Sequence, residues 1–130
     1  CSNEQSCAFA AGGYSRSSES IGIAVVTSGP AITNTLTAVA DANADSIPLL
    51  VFAGQVARMK MGTDEFQHIN VEKIFSGAAK KVILVDEVHN IEEIVKYKTT
   101  SIFYFNFFIV ERITIMLHVF TQVIRIIANY

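Results

Sequence analysis

Cysteine, proline and net charge are all scarce in these 130 residues, and each scarcity removes a class of protein. The two cysteines, Cys1 and Cys7, are too few and too close together to frame a disulfide-stapled secreted fold. A formal charge of -2, with the two signs interspersed, offers no basic face to nucleic acid and no acidic tail. Apolar runs of bilayer length are missing too. Ser101–Val110 and Ile113–Ala128 each fall short of the roughly 20 residues that a span needs, and Glu111-Arg112 lies between them, so neither nucleic acid nor a membrane is an expected partner. His68, His89 and His118 have no cysteine or carboxylate at ligand spacing, and no metal site is expected from them. No charged-then-apolar leader precedes the first helix, and the chain opens on Cys1 rather than Met. The expectation is a chain that begins inside a longer product and works in a reducing, cytoplasmic compartment, or in a plastid or mitochondrion if a transit peptide lies upstream.

Glycine, proline and aspartate are also unevenly spread. All seven glycines and both prolines lie before position 78, the last aspartate is Asp86, and from Lys98 onward there is none of the three. These residues end strands and start helices, so a segment without them was not shaped by the same folding pattern. The chain therefore divides into a domain at 1–97 and a divergent apolar tail at 98–130. Three readings of the tail are open: a membrane anchor, a long helix covering the sheet, and a frameshift or read-through into A/T-rich noncoding sequence. The enrichment in Ile, Phe, Tyr, Asn and Lys favours the last.

The most legible stretch is 21–55. Ile21–Thr27 is a short apolar run without polar alternation, the pattern of a strand covered on both faces. Ser28-Gly29-Pro30 stops it, and Pro30 is preset for the first turn of a helix running to about Ala44. Ile47–Ala53 is a second apolar run, with Pro48 at its entry, closed by Gly54-Gln55. Two buried strands joined by a helix make a right-handed βαβ unit whose functional loops lie at the carboxyl ends of the strands, here 27–30 and 54–56.

Upstream, Asn3–Ser15 reads as a helix capped by Ser2 or Asn3, with Gly12-Gly13 where it approaches a neighbour closely. Glu4 in its first turn, taken alone, is ordinary dipole compensation. Downstream come a loop at Met59–Asn70, a short helix or turn at Val71–Gly77, a strand at Lys80–Val85 and an amphipathic helix from Val88 to about Lys98. The expected fold class is α/β: a doubly wound, mostly parallel sheet with helices on both faces, lacking at least one strand before Cys1, followed by an apolar tail with helix as one option.

Six motifs carry a resemblance. Asn3-Glu4-Gln5 with Gly13-Tyr14-Ser15-Arg16, then Thr27 to Asn34 (TSGPAITN), Asp45-Ser46-Ile47-Pro48, Gly54-Gln55-Val56 and Gly62 to Gln67 (GTDEFQ), in that order and at family spacing, resemble the pyrimidine-binding domain of thiamine diphosphate enzymes. Within that group they are most similar to the large, catalytic subunit of acetolactate (acetohydroxyacid) synthase, over about Ser2 to Lys96. The resemblance implies that a glutamate at Glu4 hydrogen-bonds a ring nitrogen of the aminopyrimidine and so promotes deprotonation of the thiazolium carbon. Such a carboxyl has to be sheltered from water. It implies that Ser28, Gly29, Pro30 and Gln55 lie against the cofactor. Phe66 and Gln67 fall beside the site of a 2-keto acid such as pyruvate, with Gln67 in a catalytic role, and Lys80 falls at the substrate entrance. Without the resemblance, the same residues read as plain turn chemistry, a polar strand end and solvent-facing cations.

Asn3 stands where the family usually has His, Ala31 where glycine is common, and His68 where an acidic residue is common. Another thiamine diphosphate carboligase or decarboxylase therefore stays open as an alternative, as does a noncatalytic dimerisation module. Nothing in the chain resembles the segment that holds the diphosphate and its magnesium, or the middle domain that supplies most FAD contacts in acetolactate synthases. The expectation is a fragment of a homodimeric synthase that contributes half of a cofactor site and is inactive alone.

Overall fold

A computed structural model describes residues 1–57, 59 and 63–85, and the backbone of 107–112. Helix α1 spans Glu4–Ser18 and starts where Asn3 caps it, the Asn3 Oδ1 accepting from the N–H groups of Gln5 (2.8 Å) and Ser6 (3.3 Å). It runs three residues beyond the expected Ser15 and ends on Glu19, whose φ of 56° is left-handed. Strand β1 (Gly22–Val26) follows, then α2 (Pro30–Asn34), α3 (Leu36–Ala44), β2 (Leu49–Gln55), α4 (Val71–Phe75), β3 (Lys81–Leu84) and β4 (Phe107–Arg112).

The helix expected from Pro30 to Ala44 is two helices. Thr35, fully buried between them, turns both its N–H (3.0 Å) and its Oγ1 (2.7 Å) to the Ile32 carbonyl. A hydroxyl that competes for a backbone acceptor in this way breaks the i→i−4 ladder for one residue, and α3 restarts at Leu36.

The described strands form one all-parallel sheet in the order β1-β2-β4-β3. Gly22 pairs with Leu49 and Val26 with Ala53, so β1 and β2 advance together. All residues of β2 are buried, as expected of a strand covered on both faces. The same expectation fails for β1. Ala24 and Val26 are buried but Val25 is exposed, because β1 is the edge of the described sheet and its second face is not fully covered.

Between β2 and β3 lies β4, with Phe107 opposite both Leu50 and Lys81. The helix considered for the apolar tail is therefore not formed at 107–112. That stretch is a strand whose backbone fills the central gap of the sheet, where pairing on both sides satisfies its N–H and C=O groups. The expected helix at 88–98 and the remainder of the tail lie outside the described residues.

The core sits between the sheet and α1, α2, α3 and α4. Ala8 and Ala11 of α1, Ala38, Val39 and Ala42 of α3, Ile32 of α2 and Phe75 of α4 close over Ala24, Val26, Val51 and Ala53. So many alanines bring helix and strand backbones close together. The tightest approach is of Gly22 to the Ala11–Gly12 peptide of α1, and the residue that it requires to be glycine is the one on the strand. A Cβ on either of the helical glycines would meet nothing within 4 Å, whereas one on Gly22 would lie 2.1 Å from the Ala11 carbonyl oxygen. Two exposed contacts, Arg16 Nη2 to Asp45 (2.7 Å) and to Asp41 (3.1 Å), tie the end of α1 to α3. Exposed pairs of this kind fix orientation more than they stabilise.

Candidate functional site

Because the sheet is parallel, the segments leaving β1 and β2 emerge along the same edge. The β1 segment is the loop 27–29 and Pro30, the first residue of α2. Gly29 adopts φ 66°, in the left-handed region, and gives α2 its start: its carbonyl accepts from the N–H of Ile32 at 2.9 Å. Gly54 of β2 lies under this loop, where a Cβ would reach the Ser28 N at 3.3 Å. Gln55, at the end of β2, is buried, and its amide is engaged within the chain. Its Nε2 donates to the Ile69 carbonyl at 3.1 Å, and its Oε1 accepts from the Val56 N–H at 2.9 Å. It thereby fastens the segment 63–70 beside the strand end.

That segment carries Phe66 and Gln67 in a turn closed by the His68 N–H to the Glu65 carbonyl at 3.0 Å. Gln67 occupies the third position of the turn with φ 65°, a conformation for which glycine or asparagine is the usual choice. Its Oε1 accepts from the buried Ser28 Oγ at 3.1 Å. Phe66, beside it, is 83% exposed.

Three residues separate the end of helix α1 from the start of β1, and Gly22 lies against Ala11, so the helix runs against the strand direction and its first turn lies at the carboxyl edge. There Glu4 accepts from Asn34 Nδ2 at 3.0 Å, across the gap from α1 to the end of α2. The Asn34 amide first, and then the backbone N–H of Glu4 itself, hold the Glu4 carboxyl below the ordinary glutamate value, while slight desolvation acts the other way. The shelter expected for this carboxyl is incomplete: Glu4 is half-buried in the isolated chain.

Glu4, Ser28, Gly29, Pro30, Gln55, Phe66 and Gln67 thus fall along one edge. Lys80 does not join them. It immediately precedes β3, which is parallel to the rest, so it lies at the amino edge, opposite the loops. Asn34 was missed as a partner of Glu4. It closes the TSGPAITN motif, but nothing in a separation of 30 residues signals the contact. Among the described residues no three His, Cys, Asp or Glu gather as a metal site, and no helix is long and apolar enough to cross a membrane.

Fold and site together define a parallel α/β domain that offers an ionised carboxylate and a fixed amide at the carboxyl edge of its strands. Residues 1–74 match the family described as thiamine pyrophosphate enzyme, N-terminal TPP binding domain, and the chain belongs to that family. It is similar to acetolactate synthase 1, chloroplastic, of Zea mays, with 43% identity over 94 residues, covering 72% of this chain and 15% of that protein. The acetolactate synthase large subunit of Lactococcus lactis subsp. lactis (strain IL1403) is 43% identical over 93 residues, covering 72% of this chain and 16% of that protein. The Arthrospira platensis acetolactate synthase matches at the same identity and coverage. The chain spans about 15% of the length of the curated relatives it matches.

Proposed function

We propose that this chain supplies the pyrimidine-side half of an acetolactate synthase-type site, in which two 2-keto acids such as pyruvate are condensed with decarboxylation. Thiamine diphosphate, when bound, supplies the carbanion chemistry of that reaction. The observation that carries the reading is the Glu4 carboxylate, held ionised at a helix start by Asn34 and only half-buried. A carboxylate oriented in this way can accept a hydrogen bond from a ring N–H. Cover by a second subunit would complete its shelter and strengthen the bond. The exposed Phe9 and Tyr14 on α1 are surface that a homodimeric partner would bury.

Ser28, Gly29 and Pro30 shape the edge beside Glu4. Gln55 acts through the segment it fastens, since its amide is engaged in the chain. Gln67 offers an amide to the keto acid, and the exposed Phe66 forms an apolar wall once a partner faces it. Lys80 acts only if a second subunit brings substrate to the amino edge. Magnesium, and FAD in the parent enzyme, belong to regions beyond this chain. The tail at 98–130 is read as divergent sequence from a frameshift or read-through. A cytoplasmic or plastid location accords with the bacterial and chloroplastic relatives.

The test is calorimetric. The chain is mixed with the diphosphate-binding domain of a relative and titrated with thiamine diphosphate and magnesium. Binding that depends on this chain, and is lost in Glu4→Gln, is expected. Binding that ignores the chain, or is unchanged in Glu4→Gln, would leave only a dimerisation module.

A further inference from the structure

Three observations converge on Gln67. Its backbone sits at φ 65° in a turn position that glycine or asparagine would fill with less strain. Gly29, itself at φ 66°, lies directly against it: a Cβ there would stand 2.7 Å from the Gln67 Cβ and 2.8 Å from its Cα. Ser28, 1% exposed, spends its hydroxyl on the Gln67 Oε1 at 3.1 Å. Strain of this kind persists only when the surroundings over-determine it, and here the surroundings are the end of β1 on one side and the Gln55–Ile69 bond on the other.

A simple turn would need none of this. With Oε1 taken by Ser28, the Gln67 Nε2 is the end of the amide that no described residue engages, and the residue as a whole is only half-buried. An amide N–H2 held in that way is a fixed donor, suited to a carboxylate or carbonyl oxygen and not to a cation.

We propose that Ser28 is a positioning residue. With Gly29 it forms a seat that locks the Gln67 side chain into one rotamer, so that Nε2 is presented to the carboxylate or carbonyl oxygen of a 2-keto acid. The identity of that ligand rests on the function proposed above; the seat itself does not. In this reading Ser28 acts through Gln67.

The test uses the full 130-residue chain labelled for nuclear magnetic resonance. Three-bond couplings report the χ1 rotamer of Gln67, and its Nε2 resonances report the side-chain amide. The unmutated chain is expected to show a single rotamer, and Ser28→Ala is expected to average it and move the Nε2 pair toward the values of a free glutamine. Averaging already present in the unmutated chain overturns the proposal without need of a variant, and so does a rotamer that survives Ser28→Ala. A merely structural Ser28 would lower the melting temperature and leave the Gln67 couplings in place. Pyruvate is then titrated. A shift at Nε2 that weakens several-fold in Ser28→Ala supports the whole reading. A seat that behaves as expected while pyruvate leaves Gln67 unmoved supports the positioning role and removes the substrate-site assignment.

Discussion

Gly22→Ala should push α1, the helix whose first turn carries Glu4, away from the sheet. The added Cβ would lie 2.1 Å from the Ala11 carbonyl oxygen and 2.6 Å from its carbon, against the 3.0 Å below which real Cβ contacts essentially never fall. Helix and strand must retreat from each other by at least the difference, about 0.9 Å. Both colliding atoms are backbone, so no side chain can swing aside. Overpacking costs about 1–3 kcal/mol, and the upper end applies because Ala8 and Ala11 lose contact with β1 together. At this chain length each kcal/mol lowers the melting temperature by roughly 4 °C, so a fall of roughly 10 °C is expected in thermal unfolding followed by circular dichroism. Gly13→Ala is the matched control: its Cβ meets nothing within 4 Å, and alanine in place of a helical glycine should stabilise by about 0.5–1 kcal/mol. A Gly22→Ala chain that melts with the unmutated one, or a Gly13→Ala chain that falls with it, would refute the packing described for α1.

Two further outcomes follow from single side chains. Ser15 Oγ is buried with no partner among the described residues, and leaving a buried hydroxyl unpaired costs about 1–3 kcal/mol; Ser15→Ala should therefore raise stability by about 1 kcal/mol in urea unfolding, and a loss would show that the hydroxyl is bonded. Glu4 titrates below its ordinary value of 4.5, so its contribution is complete above that value and is lost as the pH falls through the lower, folded one. Asn34→Ala should move the Glu4 carboxyl midpoint upward, toward 4.5, in a carbon-13 titration, and narrow the acid-side loss of stability; an unmoved midpoint would show that Asn34 does not hold the carboxylate.

Much of the site was legible because it is built from local patterns. An apolar run ended by Ser28-Gly29-Pro30 dictates a strand, a turn and a helix start whatever surrounds them, and the end of β1 follows from it; β2 instead runs two residues past the expected Ala53, taking in Gly54 and Gln55. The residues that went astray depend on what lies across a gap. Gly12-Gly13 looks like a point of close approach, and β1 does come in at the Ala11–Gly12 peptide, yet the glycine that the approach requires is Gly22 on the strand, because the need is set by how α1 lies on β1 and not by composition along the helix. Thr35 reads as an ordinary helical residue until burial leaves Ile32 as the acceptor for its hydroxyl.

The same division runs through function. Glu4 at a helix start, the glycine and proline after β1 and the amide at Gln67 are written in order along the chain, and their order suffices to place this sequence among thiamine pyrophosphate enzymes. Tertiary structure decided which of them meet. Parallel pairing sent Lys80 to the opposite edge from Gln67, and the crossing of α1 by the end of α2 gave Glu4 its Asn34. It also gave the backbone of Phe107–Arg112 a central place in the sheet that its composition had not suggested. Local propensity and turn chemistry act over a few residues and are therefore written in the sequence. Which edge a residue reaches, and which partner it finds there, depends on strand order and register, which couple residues far apart in the chain.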